Sequence, residues 1–321
     1  MNRKSLLLGC AMLALAGCKV ETAQQPQEAG TEKAQIADAK MSESGDLAAL
    51  EKQSGGRLGV VILDTGTGKA TGYRADERFA LASTFKMSLA ALILKMAEEG
   101  KVKLDQKIPY TKADLMPNSP GTTENLAKGS MTVEELARTT QITSDNTAAN
   151  LLLAHIGGPQ LLTAFWRTLG DDASRLDEVE GKLNSSGKDK PEDTTTPAAM
   201  AHSMAKILTG EALSPASRAK LITWMEATET GKKRIRAGLP KDWRAGNKTG
   251  TLFDPKTGNQ YNDIAIIWPK DGTPPLIVTA YYEAGGTEGK MSDKDQAVLA
   301  EVGRIAVEWV SNLNENRSPE Q

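Results

Sequence analysis

Only two histidines and two cysteines occur in these 321 residues, and both shortages narrow the chemistry. His155 lies in "NLLLAHIGG" and His202 in "AAMAHSMAKIL", each inside an apolar run with helical spacing, so both read as ordinary helix residues. A Ser-His-Asp arrangement is thereby disfavoured, and whatever activates a serine here should be a lysine or a carboxylate. Zinc centres gather three or four Cys, His or carboxylate ligands in tight spacing; the sequence has no such cluster, and neither a metal nor another cofactor is expected. Cys10 and Cys18 both fall in the first eighteen residues. The body of the chain therefore holds no thiol for a disulfide and must be stable through its core, which this length permits. No apolar stretch is long enough to span a membrane, and no internal repeat is present. With 39 basic against 41 acidic residues there is no cationic surplus to attract nucleic acid.

The first residues, "MNRKSLLLGCAMLALAGC", have a basic start, a short apolar stretch and small residues before a cysteine, the pattern of an export signal over residues 1–17. The ending "LAGC" resembles a bacterial lipobox, which implies that Cys18 becomes the lipid-bearing first residue of the mature chain and holds it to a membrane. Cleavage nearby by the ordinary signal peptidase is the alternative. Residues 18–45 then run through "KVETAQQPQEAGTEKAQIADAKMSESG", with almost no large apolar residue, and read as a flexible tether with a mean reach of about 25 to 30 Å.

Beyond the tether, "RLGVVILDTGTGKATGYR" has two strand-like runs around a Gly- and Asp-rich turn, and "DIAIIWP" and "PLIVTAYYEA" supply two more strands far downstream. A last helix starting at Ser292 places Val298, Val302, Ile305 and Trp309 on one stripe. Between these ends the patterns are mostly helical: "STFKMSLAALILKMAEEG", ending at Gly100, "TVEELARTT" with a Thr132–Glu135 capping box, "SDNTAANLLLAHIGG" and "TTTPAAMAHSMAKILTG". The expected fold is α+β: an antiparallel sheet flanked by helices, from residues 46–80 and 232–315, with an all-helical domain inserted over 81–231. A cleft between two such domains is where small-molecule sites tend to lie.

Ser83 and Lys86 in "ALASTFK" are three residues apart on a helix and so share a face. A buried lysine near a second cation loses proton affinity and can act as a base. The same spacing recurs at Ser185/Lys188, Ser203/Lys206 and Ser217/Lys220; only Ser83 has an apolar helix to bury its lysine and two further motifs in order behind it. Ser144-Asp145-Asn146 stands at the mouth of a helix, where its bland reading is a polar cap. Lys248-Thr249-Gly250 fits a strand end, whereas Lys256-Thr257-Gly258 sits in a turn marked by Pro and Gly.

The ordered set S-x-x-K, S-D-N, K-T-G is the signature of class A β-lactamases and penicillin-binding proteins, and from about residue 46 to 313 the chain resembles the class A serine β-lactamases. Ser144 and Lys248 follow Ser83 by 61 and 165 residues, separations similar to that family's. A fourth motif separates hydrolase from slow acylated target. Glu180, followed by Leu183 and Asn184, matches the family's E-x-x-L-N loop, which holds a water against the acyl-enzyme ester, and Arg175 and Asp193 match the ion pair that closes the loop.

The resemblance implies that Ser83 attacks the β-lactam carbonyl, with Lys86 or a Glu180-bound water taking its proton. The oxyanion would sit between the N–H groups of Ser83 and Thr251, each donor worth about 3 to 4 kcal/mol. Ser144 would pass a proton to the leaving nitrogen beside Lys248, Asn146 would hold the substrate's side-chain amide, and Thr249, Gly250, Thr251 and Arg234 would line the carboxylate end, with Arg236 structural. The substrates implied are β-lactam antibiotics and the enzyme a monomer. Four positions are singled out against the pattern: Gly181 replaces a proline that often follows a cis bond, Asn118 replaces a cleft aromatic, and Ala82 and Leu252 stand where some carbapenem-hydrolysing members carry a disulfide. A D-alanyl-D-alanine carboxypeptidase or transpeptidase and a once-acylated sensor are the competing readings; Glu180 with Asn184 argues against the first, and the lack of a membrane span after the signal against the second.

Overall fold

Ser42 and Glu43 form the first strand, β1, and Ser44 caps the helix α1 (Gly45–Ser54) by accepting from the Leu47 N–H. Order thus begins inside the stretch assigned to the tether, because the Ser44 cap and the pairing of β1 with residues 71–72 hold backbone that composition alone marks as polar coil. The computed structural model describes residues 41–184, 190–255, 258–270 and 272–315, all within one compact unit. The expected signal, Cys18, the tether up to residue 40, the Ser185/Lys188 pair and Lys256-Thr257 lie outside the described residues.

Strands β2 (Arg57–Asp64), β3 (Ala70–Tyr73), β8 (Arg244–Asp254), β9 (Gly258–Trp268) and β10 (Leu276–Glu283) join β1 in a six-stranded sheet of order β1-β3-β2-β10-β9-β8. The neighbours are antiparallel as expected, except at the edge, where β1 runs parallel to β3. The central strands are buried almost throughout because both sheet faces are covered. Side chains alternate across a strand, so Val61, Leu63, Ile264, Ile266, Ile277 and Tyr281 join one core. Leu58, Val60, Ile62, Ala265, Ile267 and Val278 join the other, against α1 and the last helix, α9 (Asp293–Glu315), whose Ser292 hydroxyl accepts from Asp295 N–H as a cap.

The chain between β4 (Phe79–Ala80) and β8 is helical apart from two short pairings, β4 with β7 (Thr194–Thr195) and β5 (Lys107–Pro109) with β6 (Ser130–Thr132). Its helices are α2 (Phe85–Glu98), α3 (Pro120–Glu124), α4 (Val133–Ile142), α5 (Asn146–Ile156), α6 (Gln160–Thr168), α7 (Pro197–Leu208) and α8 (Pro215–Glu226). Helix α2 is buried without a break from Phe85 to Leu94, as an apolar helix ringed by α4, α5, α6 and α8 must be. The Thr132–Glu135 capping box opens α4. Among the described residues no helix is long and apolar enough to cross a membrane.

Candidate active site

A short 3-10 turn (Ala82–Thr84) leads from β4 into α2 and carries Ser83. One turn on, Lys86 is wholly buried and its Nζ donates to Ser83 Oγ at 3.0 Å. The same ammonium lies 2.9 Å from Ser144 O, 2.5 Å from Asn146 Oδ1 and 2.8 Å from Glu180 Oε1. Four oxygens compete for three protons. Burial pushes the Lys86 pKa below its ordinary value, with the Glu180 charge opposing. Of the other Ser/Lys spacings, Lys206 donates to Leu169 O and Lys220 pairs with Glu134, so both are incidental.

Asp145 is the buried anchor of the second motif. Its carboxylate accepts from the Ala148 N–H at the start of α5 and from the backbone and hydroxyl of Thr122, so the capping reading is correct for this residue. The turn it fixes holds Ser144 at a φ of +60° with its hydroxyl 2.9 Å from Lys248 Nζ. Burial, and after it the Lys86 charge, holds the Lys248 ammonium well below its usual range.

Lys248 enters on β8, where alternation puts Thr249, Thr251 and Phe253 on one face. Gly250 backs onto the nucleophile's turn: a Cβ there would lie 2.9 Å from Leu81 O and 3.2 Å from Ser83 N. Only a residue without a side chain lets the strand reach Ser83. Arg234 is buried, donating to Thr251 Oγ1 at 2.5 Å and to the carbonyls of Gly250 and Asn262, while Thr249 Oγ1 is 2.7 Å from Thr230 Oγ1. Arg236 instead caps the end of α8 through the carbonyls of Met225, Glu226 and Thr228.

Beneath these arginines Asp263 is fully buried, accepting from Asn247 Nδ2 and Ile235 N–H, and burial pushes its carboxyl up to about 6. Its folded pKa lies above the unfolded one, so ionising it destabilises the fold, a cost that is absent below about pH 4 and complete above about pH 6. We expect Asp263→Asn to gain on the wild type between those limits by at most about 3 kcal/mol, at about 1.4 kcal/mol per unit. Urea unfolding of both proteins at the two pH values measures this, and parallel stabilities would refute it.

The Glu180 loop is held by contacts that local sequence does not announce. Asn150, four residues after Asn146 and so on the same face of α5, accepts from Glu180 N–H at 2.9 Å and donates to Glu180 O at 3.2 Å. That i, i+4 spacing was the one signal available for it. Asp193 does not pair with Arg175 as expected. Its carboxylate takes the N–H groups of Asp177, Glu178 and Asn184, and Arg175 forks onto Asp177. Backbone donors are closer at hand than the guanidinium. Asn184 donates to Asp193 O and accepts from Ala82 N–H at 3.0 Å, tying the loop to the residue before the nucleophile. There is no cis peptide bond among the described residues, and Gly181 takes a φ of +96° instead.

Ser83, Asn118, Ser144, Asn146, Glu180, Arg234, Thr249 and Thr251 line one cavity of about 550 Å³. Neither histidine borders it. Of six non-glycine residues with positive φ among the described residues, Ala82, Asn118, Ser144, Asn184 and Asp193 surround this cavity or its loop, the kind of backbone strain that gathers at functional sites.

A serine hydroxyl bonded to a buried lysine, with a carboxylate at 3.5 Å and a cationic wall opposite, defines an acyl-transferring serine hydrolase. Residues 44–310 match the Beta-lactamase enzyme family, and the chain belongs to it; it is a class A serine β-lactamase. It is 47% identical over 269 residues to beta-lactamase L2 of Stenotrophomonas maltophilia, covering 84% of this chain and 86% of that one. To beta-lactamase CTX-M-8 of Citrobacter amalonaticus it is 48% identical over 236 residues, 74% and 79% of the two chains. Among solved structures, the ancestral (GNCA) class A beta-lactamase is similar with a TM-score of 0.76 at 52% identity, over 82% of this chain and 98% of that one. L2 complexed with relebactam gives 0.77 at 48% identity, over 83% and 97%.

Proposed function

We propose that Ser83 attacks the carbonyl of a penicillin or cephalosporin and carries the acyl group until a water activated by Glu180 removes it. The contact of Lys86 Nζ with both Ser83 Oγ and Glu180 Oε1 is the observation that carries this reading, since it joins nucleophile, base and deacylating carboxylate through one proton donor. Lys86 takes the Ser83 proton directly or passes it to Glu180, the N–H groups of Ser83 and Thr251 bind the oxyanion, and Ser144, held by Lys248, protonates the departing ring nitrogen. Asn146 holds the acyl-side amide. Arg234, Thr249 and Thr251 receive the substrate carboxylate, for which a guanidinium fork is suited. Asn184 and Asn150 keep the Glu180 loop in position.

We further propose that residues 1–17 direct export to the periplasm, that Cys18 bears lipid, and that the enzyme works as a monomer on a tether. By family analogy we favour the outer membrane over the inner, since Lys19 stands where an aspartate often retains such proteins at the inner one. Purified protein should open many moles of penicillin or chromogenic cephalosporin per mole without added metal, and activity in cell fractions should sediment with membranes until Cys18→Ala releases it. A single equivalent opened, with Ser83 shifted in mass, would move the reading to a penicillin-binding protein or sensor, and a wild-type enzyme found soluble would remove the anchor.

A further inference from the structure

One N–H of Arg234 is only weakly held. Its Nη1 donates to two backbone carbonyls, Gly250 O at 2.9 Å and Asn262 O at 2.7 Å, and its Nη2 donates to Thr251 Oγ1 at 2.5 Å. The remaining Nη2 contact is the thioether sulfur of Met291 at 3.8 Å, and a thioether is a weak acceptor. Met291 lines the cavity of Ser83 together with Arg234 and Phe253. At 51% exposure it is the one exposed methionine among the described residues; Met41, Met96 and Met116 are partly buried and the others buried. It is also held in place. The Tyr261 hydroxyl donates to Lys290 O at 3.3 Å and accepts from Ser292 N–H at 3.0 Å, which fixes the backbone on both sides of it. The side chain is thus open to solvent while its sulfur is set against a guanidinium.

We propose that Met291 is an oxidation site, at which a peroxide converts the thioether to a sulfoxide whose oxygen accepts from Arg234 Nη2 and obstructs the seat of the substrate carboxylate. The sulfur gives two electrons to the peroxide and its O–O bond breaks; one oxygen stays on sulfur, and the other leaves as water with both peroxide protons. The product is a polar side chain in place of an apolar one. A substrate carboxylate displaces a thioether from the guanidinium at little cost. A sulfoxide oxygen, one bond out from the sulfur, makes the stronger kind of hydrogen bond that a charged donor forms, and the carboxylate must break it first. Because the Tyr261 contacts hold the backbone, the oxidised side chain stays beside Arg234. The block is reversible, since sulfoxide reductases restore the thioether. This inference rests on the reading of Arg234, Thr249 and Thr251 as the carboxylate end.

The test treats the purified mature enzyme with hydrogen peroxide, maps each methionine by peptide mass spectrometry, and measures kcat and KM on a penicillin before and after. We expect Met291 to oxidise first and KM to rise about tenfold as its sulfoxide forms, with kcat within about twofold of its starting value. Methionine sulfoxide reductases for both epimers should then return KM to where it began. Met291→Leu, whatever its own KM, should keep it through the same treatment. The competing site is Met116, whose methyl carbon lies 2.8 Å from where a Cβ on Gly181 would stand, beside the Glu180 loop; oxidation acting there lowers kcat and does so in Met291→Leu as well. That result, a Met291 left unoxidised, a sulfoxide at Met291 with KM unchanged, or a loss that the reductases do not reverse overturns the proposal. Arg234→Gln, measured untreated, tests the carboxylate end by itself: a KM unchanged from wild type overturns that reading and the proposal with it. A wild-type enzyme with no turnover before treatment overturns the hydrolase reading instead.

Discussion

Glu180→Ala should take up one equivalent of penicillin and stop, with the mass of the opened drug on Ser83. The Glu180 side chain is nearly buried, with Oε1 at 3.5 Å from Ser83 Oγ and 2.8 Å from Lys86 Nζ. A base so placed reaches a water beside the ester but is not bonded closely enough to be the nucleophile's only activator. Loss of a general base slows its step by about 10² to 10⁴. Because Lys86 still contacts Ser83, the slowed step should be deacylation more than acylation, and the intermediate accumulates. Intact mass spectrometry after mixing detects it. Full turnover by the variant would remove Glu180 from the mechanism.

The second large effect is expected at Lys86. Removing its ammonium takes the donor from Ser83 Oγ, Glu180 Oε1, Asn146 Oδ1 and Ser144 O at once, so Lys86→Ala should acylate about 10³-fold more slowly or worse. No intermediate should accumulate, which distinguishes it from the Glu180 variant. Lys86→Arg should not restore the rate, because a planar fork cannot reproduce a compact point donor among four converging oxygens. Stopped-flow acylation with a chromogenic cephalosporin measures this. Acylation at the wild-type rate in Lys86→Ala would assign proton removal from Ser83 to Glu180 through water.

Local rules accounted for much of the scaffold. The Thr132–Glu135 box and the Ser292 cap are where side-chain chemistry puts them, since both depend only on residues within one turn. The strand candidates pair in one sheet, and the Ser83, Ser144 and Lys248 motifs meet at one cavity. Other features depend on contacts far apart in the chain. Strand β1 is not legible in the sequence because "SE" has no pattern of its own and is ordered by residues 71–72. Asn150 reads as one polar residue on an apolar helix until the Glu180 backbone closes on it. The Arg175–Asp193 pairing failed because Asp177 and three backbone N–H groups compete within reach.

By itself the sequence determined the Ser83, Ser144, Glu180 and Lys248 motifs and their order, the scarcity of imidazole beside them, and the helical insert between two halves of a sheet. These follow from side-chain chemistry and short-range periodicity. Only the tertiary structure decided which of the two arginines reaches the cavity, which carboxylate pairs with Arg175, how Gly181 turns without a cis bond, and that Phe253 and Met291 share a wall with Arg234. Each of these is set by packing between segments far apart along the chain, where burial and competition among donors select one partner from several that composition allows.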